Sequence, residues 1–315
     1  MLKPASPVYA GLDIAKASLQ LHLLDRQHTL ANSPSGHKKL LVLAQSCPAV
    51  HIVCEATGGY ERPVVAALHA ASLPVSILNP SHVRYFAMSQ GLRAKSDPLD
   101  CALLTSYGHT LKPLPTPKPN PALVQLRALV DWRVQLKEQR VRAGQHGEHT
   151  TDSFILKAQA KLCKHLDAQI QAVEKQLKTL LADFQDLQEK ISLLDQMPGV
   201  GFITALTVLC HLPELGQLNR RQAAALSGLA PWTRQSGDWQ GQRRIGGGRP
   251  AARKAVYMSA VALAKQKQST LGIFYHRLRD HGKPAKVALT AVMRKLIVHM
   301  NQTLKEHALK KEKSK

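Results

Sequence analysis

Two aspartates three residues apart, Asp97 and Asp100, lie in the stretch RAKSDPLDCALL of a chain whose formal net charge is +22. Two further acids, Asp13 and Glu55, come at the ends of apolar runs that predict strands. Four such carboxylates can bind two divalent cations, which activate a nucleophile and neutralise charge on the attacking and leaving oxygens of a phosphodiester. The cations would also relieve the mutual repulsion of the acids. We therefore predict a metal site formed by Asp13, Glu55, Asp97 and Asp100.

Each acid also has a purely structural interpretation. Asp97 followed by Pro98 is a good helix N-cap with proline at the first helical position, and that dipeptide alone favours capping. Asp100 can complement the helix dipole, and Asp13 and Glu55 can be ordinary acids at strand ends. The joint placement of all four acids favours the metal site.

The elements that must position these acids follow one another in the first hundred residues. The runs VYAGLDI, SLQLHLLD and HTLANS predict three successive antiparallel strands. The next segments predict a helix (GHKKLLVLAQS), a strand (AVHIVCE), a helix over about 60–71, a strand (PVSILN) and a helix containing Asp97 and Asp100. This order, β-β-β-α-β-α-β-α, fits a mixed α/β sheet covered by helices, as in RNase H-like nucleases and RuvC-like resolvases. Such a sheet would bring the four acids to one edge.

Composition indicates a polyanionic partner in a reducing compartment. The 43 Lys and Arg residues are spread along the whole chain, as extended phosphate contact requires. Aromatic residues make up only 4%, so base stacking should not dominate; Trp132 is expected to pack, whereas Trp232 and Trp239 stay open to packing or stacking. The five scattered cysteines contain no CxxC pair, which disfavours a disulfide framework or a zinc site. Without a signal-peptide core or an apolar run near the roughly 18 residues of a membrane span, we expect a cytoplasmic protein with no membrane partner.

The rest of the chain predicts two more regions. After the linker LKPLPTPKPNP, a helix over about 122–142 can pack across the loop AGQHGEHT against a coiled-coil segment. The apolar seam of that segment is Ile170, Val173, Leu177, Leu180, Phe184, Leu187, Ile191 and Leu194. It could serve an intramolecular arm or a dimerisation arm equally well. The run MPGVGFITAL then predicts a helix-hairpin-helix-like element in a mainly α region. We expect domains at 1–112, 113–195 and 196–315.

The segment QSGD, which contains Ser236, is by itself most typical of a turn. It lies in a glycine-rich, basic stretch, so the backbone could approach DNA closely there. The residues that we expect to bind nucleic acid are Arg234, Arg243, Arg244, Arg249, Arg253 and Lys254.

Short motifs along the chain resemble the IS110 family of transposases, including its IS1111 branch. GLDIAKASL, CEATGGYERPV, ILNPSHVRYFA and AKSDPLDCALL resemble the family's DEDD segments. MPGVGFITAL, ALSGLAPWTRQSGDWQGQRRIGGGRPAARKAVY and FYHRLRDHGKPAKVALTAVMRKL resemble its C-terminal domain. Ser96, Pro98 and Cys101 depart from the usual acid helix without removing an acid.

The resemblance implies a RuvC-like domain whose metal ligands are Asp13, Glu55, Asp97 and Asp100, with Mg²⁺ or Mn²⁺ as cofactor, and a second domain whose nucleophile is Ser236. It implies a site-specific recombinase that moves an insertion sequence through a covalent serine-DNA intermediate. The implied partners are DNA, both element ends and target, a structured noncoding guide RNA, and further copies of the chain in a dimer or tetramer. Acids and serine would meet across protomers.

Two other functions stay open at this point. A RuvC-like junction nuclease would use metal-bound water as its nucleophile, with Ser236 in a simple turn; a covalent protein-DNA adduct would exclude it. A non-catalytic nucleic-acid-binding protein would use its acids as caps; metal-dependent strand cleavage would exclude that.

Overall fold

The chain forms two compact units, Met1–Pro119 (unit 1) and Asn120–Lys315 (unit 2). The structure is a computed structural model that describes residues 7–92, 97–147, 149–233, 235–236, 239–241 and 243–313, without the side chains of 97–99, 236, 239 and 240. Unit 2 spans residues 120–195 of the second expected domain and all of the third, whereas residues 113–119 belong to unit 1. Their division near residue 195 stays a prediction.

Unit 1 is built on a five-stranded mixed sheet. Its strands are β1 (Val8–Ile14), β2 (Ser18–Leu23), β3 (Arg26–Ala31), β4 (Val50–Glu55) and β5 (Val75–Leu78), in the spatial order β3-β2-β1-β4-β5. β1 to β3 form an antiparallel meander, whereas β1, β4 and β5 run parallel. Central strands β1 and β4 are apolar almost throughout because helices cover both faces, while edge strand β3 (RQHTLA) is largely exposed. The predicted meander and mixed α/β sheet are confirmed.

Four helices of unit 1 connect and cover these strands: α1 (Pro34–Gln45), α2 (Arg62–Ala70), α3 (Pro80–Ser89) and α4 (Asp97–Leu111). Ser33 caps α1 and Asn79 caps α3, each followed by proline at the start of the helix. The sequence predicted one helix after β5, but the structure has two. Asn79-Pro80 starts α3 directly after the strand, and Gly91, with φ of +72°, follows its end.

The two faces of the sheet bury separate cores. The face covered by α1 and α2 contains Leu12, Ile52 and Cys54, with Leu40 and Leu68 from those helices. The opposite face, covered by α3 and α4, buries a second set consisting of Tyr9, Val53, Leu78, Val83, Phe86, Leu104 and Tyr107. Because side chains alternate along a strand, this division fixes the face on which each strand-end acid lies.

Unit 2 begins with a long helical hairpin formed by α5 (Pro121–Gln145) and α6 (Ser153–Ala182). The helices run antiparallel, since Arg140 Nε bonds Asp167 at 3.0 Å and Arg133 Nη2 bonds Glu174 at 2.6 Å farther down. Apolar side chains of both helices share one core. The predicted packing across the loop AGQHGEHT is confirmed, and self-association through the seam stays a prediction.

The predicted seam spans two helices instead of one. α6 ends at Ala182, Phe184 precedes α7 (Gln185–Asp195), and Leu181 is more deeply buried than the expected Leu180. The prediction was wrong because the 3-4 spacing of apolar residues continues through Asp183-Phe184, where the helix itself ends. Trp132 on α5 exposes 45% of its surface, so the expectation that it packs is wrong.

The remaining helices of unit 2 are α8 (Phe202–His211), α9 (Arg220–Leu226), α10 (Pro250–Lys265), α11 (Thr270–Asp280) and α12 (Ala285–Lys313). α7 and α8 are joined by the MPGVG turn, in which Gly199 has φ of +76°. α8, α10 and α12 bury their apolar sides in the core that also receives the hairpin. The basic tail continues α12 to Lys313, and Lys311 Nζ lies 2.9 Å from Glu189 of α7.

The described helices include none that is both long enough and apolar enough to cross a membrane. All five cysteines are free thiols, four of them buried.

Candidate functional site

The ends of β1 and β4 place Asp13 and Glu55 side by side. The two strands are parallel, with Leu12 opposite Cys54, so the next positions along are Asp13 and Glu55. Neighbouring strands lie about 4.8 Å apart. Both acids are half-buried. Two carboxylates in adjacent positions repel one another unless a cation or hydrogen-bond donors offset the charge.

Both carboxylates lie on the face covered by α3 and α4. Tyr9, four residues before Asp13, and Val53, two residues before Glu55, belong to the core on that face. Side chains an even number of positions apart share a face of the sheet. The intervening Leu12 and Cys54 belong to the opposite core.

Helix α4 lies directly on β1 and runs antiparallel to it. A Cβ atom at Gly11 would overlap the carbonyl oxygen of Cys101, and one at Gly108 would meet the ring of Tyr9 at 2.6 Å. Tyr9 therefore contacts α4 at Gly108, and Gly11 contacts it about two turns earlier, at Cys101, so the helix and the strand run in opposite directions. Glycine is required at position 11 for this close approach of backbone to backbone.

A hydrogen-bond network fixes the register of α4 on the sheet. The Gly11 N–H donates to Thr105 Oγ1 at 2.8 Å, and His22 Nδ1 of β2 lies 3.0 Å from the same oxygen. Thr105 also lies 3.2 Å from the Cys101 carbonyl, to which its hydroxyl donates. Because α4 runs against β1, this register directs its first turn toward Asp13.

The first turn of α4 carries Asp97 and Asp100. Asp100 is half-buried, while the side chain of Asp97 lies outside the part of the chain that the structure describes, so its capping and metal interpretations are both unchanged. Burial raises the pKa of the Cys101 thiol, and the charges of Asp13 and Asp100 raise it further. The Cys101 carbonyl lies directly against Gly11, so Asp100, one residue before Cys101, and Asp13, two residues after Gly11, lie in the same neighbourhood.

The acids at this edge are of the chemical type that binds a hard cation. Mg²⁺ and Mn²⁺ prefer oxygen ligands, and the acids at this edge offer carboxylates alone. Among residues with described side chains, no three His, Cys, Asp or Glu side chains are arranged as a metal site; Asp97 is not among them. We call Asp13, Glu55 and the first turn of α4 the carboxylate edge.

The loop that follows Glu55 is stabilised by hydrogen bonds to the carboxylate of Glu61. The Glu61 carboxylate accepts hydrogen bonds from Thr57 N at 3.1 Å, Thr57 Oγ1 at 2.8 Å and Gly59 N at 2.8 Å. Burial alone would raise the pKa of Glu61, but these bonds hold it below its ordinary value. Glu61 therefore stays charged and closes the loop, whose Gly58 and Gly59 have φ of +74° and +126°.

Ser236 belongs to unit 2, in residues 231–249, here called the serine segment. Four two-residue strands cross it: β6 (Pro231–Trp232), β7 (Gln235–Ser236), β8 (Trp239–Gln240) and β9 (Arg244–Ile245). β6 pairs with β9, and Ser236 faces Trp239 in the β7–β8 ladder. The backbone of Ser236 is described, but its side chain, with those of Arg234 and Trp239, lies outside the described residues.

The five predicted nucleic-acid-binding cations with described side chains fall into two groups. Arg243 and Arg244 are exposed. Arg249 donates to both carboxylate oxygens of Glu214, at 2.5 and 2.6 Å, and to the His211 carbonyl at 2.9 Å. Arg253 donates to the Gly247 carbonyl at 2.9 Å, and Lys254 Nζ lies 3.4 Å from Glu138. The second group has protein partners, and phosphate binding by all six cations stays a prediction.

Sequence reasoning missed four residues that organise the carboxylate edge: Gly11, Asn32, Glu61 and Thr105. Gly11 had a signal, because a glycine inside a strand marks a close approach of backbone. Thr105 and Glu61 act through contacts that depend on register and loop geometry. Asn32 acts through hydrogen bonds to carbonyls 17 and 28 residues away in the chain, which no local sequence pattern indicates.

Two family models match the chain. One, described as a transposase (DEDD, IS110), covers residues 10–154, and the other, the transposase IS116/IS110/IS902 family, covers residues 191–276. The chain is also similar to two curated proteins named pilin gene-inverting protein, from Moraxella bovis and Moraxella lacunata. Each is 29% identical over 304 residues, which cover 93% of this chain and 94% of the relative.

Proposed function

Because this chain belongs to the IS110 family of transposases, which makes it a DNA cleaving and rejoining enzyme, we propose that Ser236 is the nucleophile and that Asp13, Glu55, Asp97 and Asp100 hold its divalent metal, Mg²⁺ or Mn²⁺. The reaction is site-specific recombination of an insertion sequence. It requires the acids of unit 1 and the serine of unit 2 to act on one phosphodiester, within a protomer or between protomers.

The packing of α4 on β1 supports this proposal more than any other observation. Through Gly11 and Thr105 it directs an acid-bearing helix start toward the ends of two parallel strands that themselves carry acids. A capping role would explain Asp97 alone, but it gives no reason for Asp13, Glu55 and Asp100 to share a neighbourhood.

In the proposed reaction Ser236 Oγ forms a bond to phosphorus while the bond from phosphorus to the leaving deoxyribose oxygen breaks. The serine loses its proton, and the leaving oxygen gains one, so the phosphodiester is conserved as a phosphoserine ester that can be rejoined. The metal, when bound, supplies charge neutralisation at the attacking and leaving oxygens. Arg243 and Arg244, which are exposed in the serine segment, would hold the phosphate that the serine attacks.

The named relatives fit the same chemistry. Their name, pilin gene-inverting protein, says that they invert a pilin gene, and inversion requires the DNA at both ends of a segment to be cut and rejoined to new partners. For this chain we propose the same exchange between element ends and target.

The partners follow from the family and from charge. With a net charge of +22, the chain can contact both DNA and the structured RNA that we propose as its guide. Sequence choice would then rest on base pairing by the RNA. Recombination of element-end DNA should occur with the co-expressed RNA and not without it, and recombination by RNA-free protein would remove the guide from the proposal.

The serine is tested by trapping the covalent intermediate. Ser236→Ala should bind DNA and RNA like the parent yet give neither recombinants nor a protein-linked DNA strand on denaturing gels. Thr233→Ala is the matched control, because it removes an exposed hydroxyl from the same segment and should leave the adduct intact. The parent adduct should require a divalent metal. Cleavage that survives in Ser236→Ala would favour the water-using nuclease instead.

A further inference from the structure

Asn32, directly after β3, bonds to the two loops that leave the acid-bearing strands. Its Nδ2 donates to the Ala15 carbonyl at 2.9 Å and to the Tyr60 carbonyl at 3.3 Å. Its Oδ1 lies 2.8 Å from Nε2 of His37, a buried residue on α1. One side-chain amide therefore joins the loop after β1, the loop after β4 and helix α1.

The chemistry of these partners allows only one orientation of the amide. Both groups near Nδ2 are carbonyl oxygens, which accept hydrogen bonds and cannot donate them. A flipped amide would set its own oxygen against both carbonyls, so the two N–H groups of Asn32 must face Ala15 and Tyr60. His37 Nε2 must then carry a proton and donate it to Oδ1, which fixes the amide from its other side.

Each bonded carbonyl lies close to a carboxylate along the chain. Ala15 is two residues after Asp13, and Tyr60 is five residues after Glu55. The longer connection is itself held, because Ala56 N donates to the Leu78 carbonyl at 3.0 Å and Glu61 closes the turn through Thr57 and Gly59. A restraint at Tyr60 is thus passed back to Glu55.

We propose that Asn32, oriented by His37, is a positioning residue that sets the spacing of Asp13 and Glu55 and thereby the affinity of the carboxylate edge for its divalent metal. This inference rests on the metal site of the proposed function. A divalent cation needs its oxygen ligands at fixed separations, and the two carboxylates repel one another without it. The two N–H groups of Asn32 hold the loops together against that repulsion.

Asn32→Asp tests the inference because the added charge and the lost positioning should change Mn²⁺ affinity in opposite directions. The substitution keeps the shape of the side chain but replaces the amide donors with an oxygen that repels both carbonyls. If only charge mattered, an added carboxylate near the site would strengthen cation binding. Positioning predicts that Mn²⁺ binding weakens by about 10- to 100-fold, as is usual when a group that orients a ligand is lost.

Asn79→Asp is the matched control. It makes the same change of charge at the end of β5, on the same edge of the sheet, where the side-chain oxygen caps α3 by accepting from Ser81 N at 2.9 Å. Aspartate caps as well as asparagine does, so the fold should be undisturbed. Free Mn²⁺ would be titrated by electron paramagnetic resonance on the full-length protein, together with the Mn²⁺ dependence of adduct formation.

The expected result is Mn²⁺ binding at parental strength or slightly tighter in Asn79→Asp, weaker binding in Asn32→Asp, and adduct yield in Asn32→Asp restored at high Mn²⁺. Should Asn32→Asp fail to fold, as judged by thermal unfolding in EDTA, Asn32→Ala removes the donors without adding charge and should weaken binding in the same direction. Unchanged or tighter Mn²⁺ binding in a folded Asn32→Asp or Asn32→Ala variant overturns the inference. Asp13→Asn should abolish Mn²⁺ binding by the parent protein. If the parent protein binds no Mn²⁺, or if Asp13→Asn binds it equally well, the metal site of the proposed function is wrong, which is a different outcome from failure of the Asn32 inference alone.

Discussion

The carboxylate edge and the serine segment are built in opposite ways. At the carboxylate edge, the acids lie on a five-stranded sheet, and α4 is held against β1 by backbone contact and by Thr105. The described part of the serine segment consists of two-residue strands whose Pro231, Trp232, Arg244 and Ile245 are exposed. One region is fixed by packing, and the other presents its surface to solvent.

This difference matches what the two proposed chemical roles demand. Metal ligands must keep fixed separations from each other, which buried strands and helices provide. A nucleophile that forms a bond to DNA must be accessible to a large polyanion, and exposed strands beside glycines allow the DNA backbone to come close. In this chain, the positions of the acids are therefore more tightly fixed by packing than the surface of the serine segment is.

Removing a carboxylate should have the largest effect and would test the first half of the comparison. Asp13→Asn, Glu55→Gln and Asp100→Asn should each lower metal-dependent adduct formation by more than about 100-fold, since even groups that only orient a ligand cost 10- to 100-fold. Nucleic-acid affinity should be nearly unchanged. Adduct yield on denaturing gels measures the first quantity, and filter binding the second.

Asp25→Asn is the control for these acids. Asp25 is exposed in the β2–β3 turn with φ of +58°, a conformation that asparagine tolerates well, so only a charge is lost. Asp97→Asn needs separate attention because asparagine is also a good N-cap. If Asp97→Asn retained full activity, Asp97 would be a cap and would not belong to the metal site.

A smaller effect is expected from crowding the contact between α4 and β1. Gly11→Ala should destabilise the protein by about 1–3 kcal/mol, because the added methyl group meets backbone atoms of Cys101 and Thr105 that cannot move independently. Urea unfolding followed by circular dichroism measures the loss. Gly246→Ala in the serine segment, where a new Cβ meets nothing within 4 Å, should change stability by no more than about 0.5 kcal/mol. Equal effects would mean that the two regions do not differ in packing.

The smallest effect concerns single cations of unit 2. Arg244→Gln should reduce the slope of log binding constant against log salt concentration by about 0.9, the value of one lost phosphate contact, without changing stability. Arg249→Gln should alter the slope less and lower stability by about 1 kcal/mol, because the guanidinium is paired with Glu214 on a partly exposed surface. DNA binding measured at several salt concentrations, with thermal melts, distinguishes the two. A full slope change in Arg249→Gln would mean that the arginine leaves Glu214 to bind phosphate.

The sequence predicted the strands of unit 1 well because their patterns are local. β1 and β4 are continuous apolar runs that end in acids. The helix start at Asn79-Pro80 was not part of the prediction, which had one helix where the structure has α3 and α4. The order of strands and helices along the chain was enough to predict that Asp13 and Glu55 lie at the same edge of the sheet. By contrast, the break before Phe184 was missed because apolar spacing continues across it, and the roles of Asn32 and Thr105 depend on contacts 17 to 94 residues apart in the chain.

The chain order of the carboxylate edge also has a consequence for synthesis. Every strand of the sheet, and α4 with it, is encoded before Pro119, whereas Ser236 lies more than a hundred residues later. Domains fold in order as the ribosome delivers them, at roughly 5–20 residues per second. A nascent chain therefore has several seconds to assemble its acids before the serine leaves the ribosome, and a chain truncated early would carry the proposed metal ligands without the proposed nucleophile.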